Sequence, residues 1–228
     1  MKNHFKLFSI LAAVLFLTTV YFIGCVNYDQ NTTLNSDGSG SMKIHYWTKM
    51  SNVTGTTLGK FDFDEAKAKQ NYSSPTTDVK SVKMEDKLDD STKHVYLELT
   101  FKDINKLSEI KGFSDIRASW KDGKDGMELK YTLLKDTSAA NQMGASDYKV
   151  TYTFEMPDEI ISTNAEKKEG KTCTWEYKVS DLGKDIDLTA VVKKAKGKTC
   201  GIFGFISVFG LIGLGYYTQR NKKTSVKS

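Results

Sequence analysis

Between residues 26 and 198 apolar and polar positions alternate along most of the chain, the pattern of strands with one buried face. The clearest case is Val95, Leu97, Leu99 and Phe101, set against Tyr96, Glu98, Thr100 and Lys102. In 41–50, Met42, Ile44, Tyr46 and Thr48 share the expected core face, leaving Lys43, His45, Trp47 and Lys49 on the other. A strand over 27–34 precedes it, and Asp37-Gly38 in the connection NSDGSG (35–40) supplies the turn chemistry of a hairpin. Further strands are expected over 78–88 and 93–101, and over 116–120 and 127–134 around a Gly-Asp turn. In 148–156, Tyr148, Val150, Tyr152 and Phe154 alternate; in 172–179, Cys173, Trp175, Tyr177 and Val179 share a face; 186–192 completes the set.

Two short helices interrupt the strands. Asp62 with Glu65 three residues on resembles a capping box and predicts a helix through about Gln70. Asp103 is the expected N-cap of a second, with Ile104, Leu107 and Ile110 as its apolar stripe. The small polar residues of 137–146 suggest a mobile flap. Together these elements predict an α+β fold over 25–198: one curved, mainly antiparallel sheet with two short helices against one face.

The two ends differ from this middle. Residues 1–24 read as a signal peptide, with Lys2 and Lys6 ahead of an uncharged apolar run from Leu7 to Ile23. The sequence Phe22-Ile23-Gly24-Cys25 resembles the lipobox of bacterial lipoproteins, with Phe22 where that family usually has Leu. The resemblance implies cleavage after Gly24 and fatty acylation, palmitate included, of Cys25. An uncleaved signal anchor is the alternative. Residues 199–217 contain 17 uncharged residues from Gly201 to Tyr217, which as a helix would span roughly 26 Å, enough for a transmembrane segment. Arg220, Lys222 and Lys223 in the tail 218–228 then mark the cytoplasmic side. Gly201, Gly204, Ser207, Gly210 and Gly213 fall three apart and would admit a partner helix, unless they are simply tolerated in a short span. The expected location is the cytoplasmic membrane, with the domain on the outer side and an anchor at each end.

Charge narrows the function classes. The net +5 comes from the ends, since 26–198 holds 27 basic and 28 acidic residues, net −1. That removes the electrostatic basis for nucleic-acid binding. His45 and His94 are the histidines left once the signal is removed, and both are expected at the surface beside lysines. The 35–40 loop begins like a calcium loop, but Tyr46 stands where the bidentate carboxylate belongs. No nucleophile elbow, phosphate-cradling glycine loop or paired-cysteine metal spacing occurs, so no enzyme activity, metal or cofactor is expected. Cys173 is expected free and buried, a disulfide to Cys200 being the alternative. The sequons at Asn31, Asn52 and Asn71 are idle beside a lipobox.

The segment VTYTFEMPDEIISTNAEKKEGKTCTWEY, followed by DIDLTAVVKK, resembles the repeating signature of the LppM lipoprotein family at Pro157, Ile160, Asn164, Gly170 and Trp175. The Asp37-Gly38-Ser39-Gly40 turn soon after the cysteine and the single C-terminal apolar segment also look like that family. The resemblance implies an extracytoplasmic α+β domain with an apolar cavity for envelope glycolipids, hence a non-enzymatic binder of a lipid or other amphiphile. Alternation nominates Tyr152, Phe154, Trp175 and Tyr177 as cavity-lining residues, or else as ordinary core. Membrane lipids and an envelope amphiphile are the expected partners. The alternative is a scaffold contacting envelope proteins.

Overall fold

The computed structural model describes residues 26–142 and 144–194. Strands β1 (Asn27–Leu34) and β2 (Gly40–Lys49) form the expected hairpin, with Tyr28 opposite Tyr46 and Gln30 opposite Ile44. Its turn needs Gly38, whose φ of 85° lies in the left-handed region that a side chain disfavours. Asp37 Oδ1 tightens the same turn by accepting from the Ser39 amide at 3.0 Å. Met42, Ile44, Tyr46 and Thr48 are all buried, as the alternation requires.

On one side of this hairpin lie β6 (Thr92–Phe101) and then β5 (Thr77–Lys87). On the other lie β9 (Lys149–Glu155), β12 (Thr172–Lys178) and β11 (Lys167–Glu169), giving a seven-stranded sheet in the order β11-β12-β9-β1-β2-β6-β5. The β1–β9 pair is parallel, with Gln30 beside Tyr152 and Thr32 beside Phe154. A second sheet has the order β10-β13-β8-β7, from β10 (Ile160–Thr163), β13 (Ile186–Val192), β8 (Met127–Leu133) and β7 (Ile116–Asp122). A short hairpin, β3 (Thr57–Leu58) with β4 (Phe61–Asp62), stands apart from both sheets.

The two sheets share a core. The Tyr131 ring of β8 meets Phe154 of β9 at 5.3 Å between centroids, and Phe154 meets Trp175 of β12 edge-on at 6.0 Å. All three are 0% exposed. Burying one such ring contributes roughly 1.5–3 kcal/mol, so this seam is a principal source of cohesion.

Helix α1 (Glu65–Tyr72) packs on β5 and begins two residues later than the capping-box reading has it. The true N-cap is Asp64, whose carboxylate accepts from the Lys67 amide at 2.9 Å. Asp62 is occupied elsewhere, accepting from the Asn71 amide and from Thr57 Oγ1. The second expected helix is a 3-10 helix, Ile104–Glu109, capped by Asp103 through the Asn105 amide. In a 3-10 helix positions three apart eclipse, so the spacing of Ile104, Leu107 and Ile110 turns all three inward.

The predicted fold class is therefore corrected. The described chain is mostly β, in two sheets rather than one curved sheet, with few helices. One of the two expected α-helices is 3-10, and the 137–146 segment holds a single helical turn, Thr137–Ala140, capped by Asp136. The expected transmembrane helix gains no support: among the described residues no helix is long and apolar enough to cross a membrane. Residues 199–217, like the signal peptide, Cys25 and Cys200, lie outside the described residues.

Candidate functional site

Where the sheets diverge, three tyrosines from separate strands approach one another: Tyr28 of β1, Tyr131 of β8 and Tyr152 of β9. The Tyr28 and Tyr152 rings lie 5.5 Å apart and Tyr131 and Tyr152 5.8 Å. Tyr72 closes a further wall from the end of α1, packed edge-on to Phe113 at 5.0 Å. Phe61, from the short hairpin, covers Tyr28 at 6.0 Å. These rings, with Val26, enclose a cavity of about 60 Å³. At about 10–15 Å³ per water-sized group, that is room for about four to six such groups. The end of an apolar chain fits; a whole acyl chain does not.

The polar atoms of this wall are unevenly satisfied. Gln30, 1% exposed, accepts from the Tyr28 hydroxyl at 2.9 Å and the Tyr131 hydroxyl at 3.2 Å, and donates to Thr32 Oγ1 at 3.0 Å. Tyr72 and Tyr152 are 7% and 8% exposed, and their hydroxyls make no hydrogen bond to any described residue. Burial pushes all four phenols well above the usual tyrosine range, and the nearby Asp115 carboxylate adds to the effect. They are neutral groups able both to donate and to accept. Asp115 forms an ion pair with Lys60, and both residues line the cavity.

Of the residues nominated by alternation, Tyr152 lies on this cavity. Phe154 and Trp175 lie in the packed core, and Tyr177 lies half-buried in a different surface groove with Asp181 and Asp187. Tyr28, Tyr131 and Tyr72 come from strands and a helix far apart in the sequence, and no local signal marks them. Cys173 is free and buried, donating to Thr163 Oγ1 at 3.4 Å. His94, expected at the surface, is 4% exposed. Its Nδ1 lies 2.9 Å from His45 Nε2, and His45 stacks between Trp47 and Tyr96 at 4.4 and 4.3 Å. Among the described residues no group of His, Cys, Asp and Glu is arranged to hold a metal ion.

No family model and no curated protein matches this chain. A solved structure does. The folded domain of LppM from Mycobacterium tuberculosis, determined by NMR, is similar at 18% identity with a TM-score of 0.48. The match covers 77% of this chain and 93% of that one. A likeness at that level assigns no activity, so the cavity's own residues carry the functional reading.

Proposed function

We propose that the domain is a non-enzymatic binding module that takes the apolar end of an amphiphile into the tyrosine-lined cavity, held at an envelope membrane by acylation of Cys25. The observation that carries this reading is the tyrosine-lined cavity itself, two of whose phenols, Tyr72 and Tyr152, make no hydrogen bond to any described residue. A ligand bringing an ester, ether or carbonyl oxygen accepts from these hydroxyls, each such bond contributing about 0.5–1.5 kcal/mol net. Aromatic walls with a few convergent polar groups are the ordinary make-up of a small-molecule site. The scaffold alternative calls for a contiguous apolar patch. Among the described residues the exposed large apolar side chains are Leu88, between β5 and β6, and Ile161, in the other sheet.

Native mass spectrometry of the extracted full-length protein tests the reading. The wild type should carry a lipid or other amphiphile as a mass adduct beyond any covalent acylation. The Tyr72→Phe/Tyr152→Phe double variant should keep its fold and lose most of the adduct. A wild type that never carries one, or a variant that carries as much, would overturn it.

A further inference from the structure

We infer that the cleft beside the cavity seats an anionic head group, so that the preferred ligand is an amphiphile with a negatively charged end. This rests on the reading of the cavity as the seat of the apolar end. The cleft has a volume of about 440 Å³ and is bordered by the short hairpin, α1 and the loop that leads into β7. Lys60, Gly112 and Asp115 line both the cleft and the cavity. Gly112 lies where the two spaces meet, and a Cβ built there would stand 2.5 Å from the Tyr72 ring, so its peptide lies against that ring.

The charges of the cleft are unequally used. Of its carboxylates, Asp115 pairs with Lys60, while Asp62 accepts from two neutral groups, the Asn71 side-chain amide and Thr57 Oγ1. Its other two ammonium groups, Lys67 and Lys111, have no carboxylate within ion-pair distance among the described residues. Lys67 donates to Thr56 Oγ1 at 2.7 Å, which leaves its charge unneutralised. Three ammonium groups against two carboxylates leave the lining one positive charge in excess, which beside a low-dielectric aromatic wall gives the cleft a positive potential. A phosphate or carboxylate there gains charge-assisted hydrogen bonds, whereas a neutral sugar head gains only ordinary ones. The Gln70 amide and Ser114 hydroxyl line the same cleft and complete its set of donors.

The test titrates full-length protein with three probes, followed by ligand-observed NMR: hexyl phosphate, hexyl glucoside and inorganic phosphate. Hexyl phosphate should bind about tenfold more tightly than hexyl glucoside, the scale set by two partly exposed charge contacts. The Lys67→Gln/Lys111→Gln variant should erase that preference and leave hexyl glucoside binding unchanged. Equal binding of the two hexyl compounds by the wild type, or a preference that survives in the variant, overturns the head-group assignment while the cavity reading stands. Inorganic phosphate binding as tightly as hexyl phosphate shows that the cleft recognises a free anion and overturns the two-part ligand. If neither hexyl compound binds, the cavity reading falls, and the inference with it.

Discussion

Trp175 donates its indole N–H to the side-chain oxygen of Asn164 at 2.8 Å, and the same oxygen accepts from the Thr189 amide at 2.8 Å. The Asn164 amide completes the arrangement by donating to the Asp187 carbonyl at 2.7 Å. One side chain thus ties the larger sheet to β13 of the smaller one. Asn164→Ala leaves the indole N–H and the Thr189 amide unpaired and should destabilise the domain by about 1–3 kcal/mol. Trp175→Ala, which also empties the core, should cost about 3–5 kcal/mol. The double variant should cost less than the sum, because the two share a bond. Urea unfolding of the four proteins measures this, and strict additivity would count against the linkage.

Gln30 serves two phenols at once, which makes it more sensitive than either tyrosine. Gln30→Leu should destabilise the fold by about 1–3 kcal/mol by leaving two buried hydroxyls unpaired. Tyr131→Phe, which removes one hydroxyl and leaves Gln30 one donor, should cost less. Denaturant midpoints rank the two variants, and the reverse order would show that ring packing rather than hydrogen bonding governs this wall.

The paired histidines predict a stability loss in acid. Burial, followed by the charges of His94 and Lys87, lowers His45 from the usual 6.5 to about 4, and burial likewise lowers His94. Glu85 opposes this from β5, and Asp29 Oδ2 of β1 lies 4.0 Å from His45 Nδ1. Because the fold holds His45 neutral, its contribution is complete above pH 6.5 and disappears as pH falls from there toward 4, where the unfolded chain takes up the proton first. His45→Phe keeps a ring in the stack and should flatten this part of the stability profile relative to wild type. Urea midpoints at about pH 7 and about pH 4.5 decide it; an identical acid drop in both proteins assigns the drop to His94 or the carboxylates and not to His45.

Gly112→Ala should displace the Tyr72 ring, at a cost of about 1–3 kcal/mol. Replacing Tyr72 with Leu in the same chain should restore part of that loss by making room for the methyl group. Thermal unfolding of the two variants checks this. A Gly112→Ala protein as stable as wild type would mean that the loop yields and the ring stays.

Strand content was legible because alternation is a local signal. Val95, Leu97, Leu99 and Phe101 mark β6 by themselves, and β1, β2, β8 and β13 fall within a residue or so of their expected bounds. What alternation cannot encode is which strand lies beside which. The parallel neighbours β1 and β9 are over a hundred residues apart, so neither the division into two sheets nor the meeting of Tyr28 with Tyr152 could be read from spacing. Strand β11 escaped notice because all three of its residues are exposed, leaving no pattern to find. The stripe Ile104, Leu107 and Ile110 predicted inward-facing residues but not the type of helix, since a spacing of three serves both α and 3-10 geometry.

Val26 is 3% exposed and lines the cavity, and Asn27 already belongs to β1, so the ordered wall begins one residue after Cys25. Consecutive Cα atoms are about 3.8 Å apart. Under the proposed acylation of Cys25, the domain would be seated on the bilayer rather than leashed to it. Its cavity would then meet amphiphiles at the density of the leaflet, a two-dimensional encounter in which their scarcity in water would set no limit on loading.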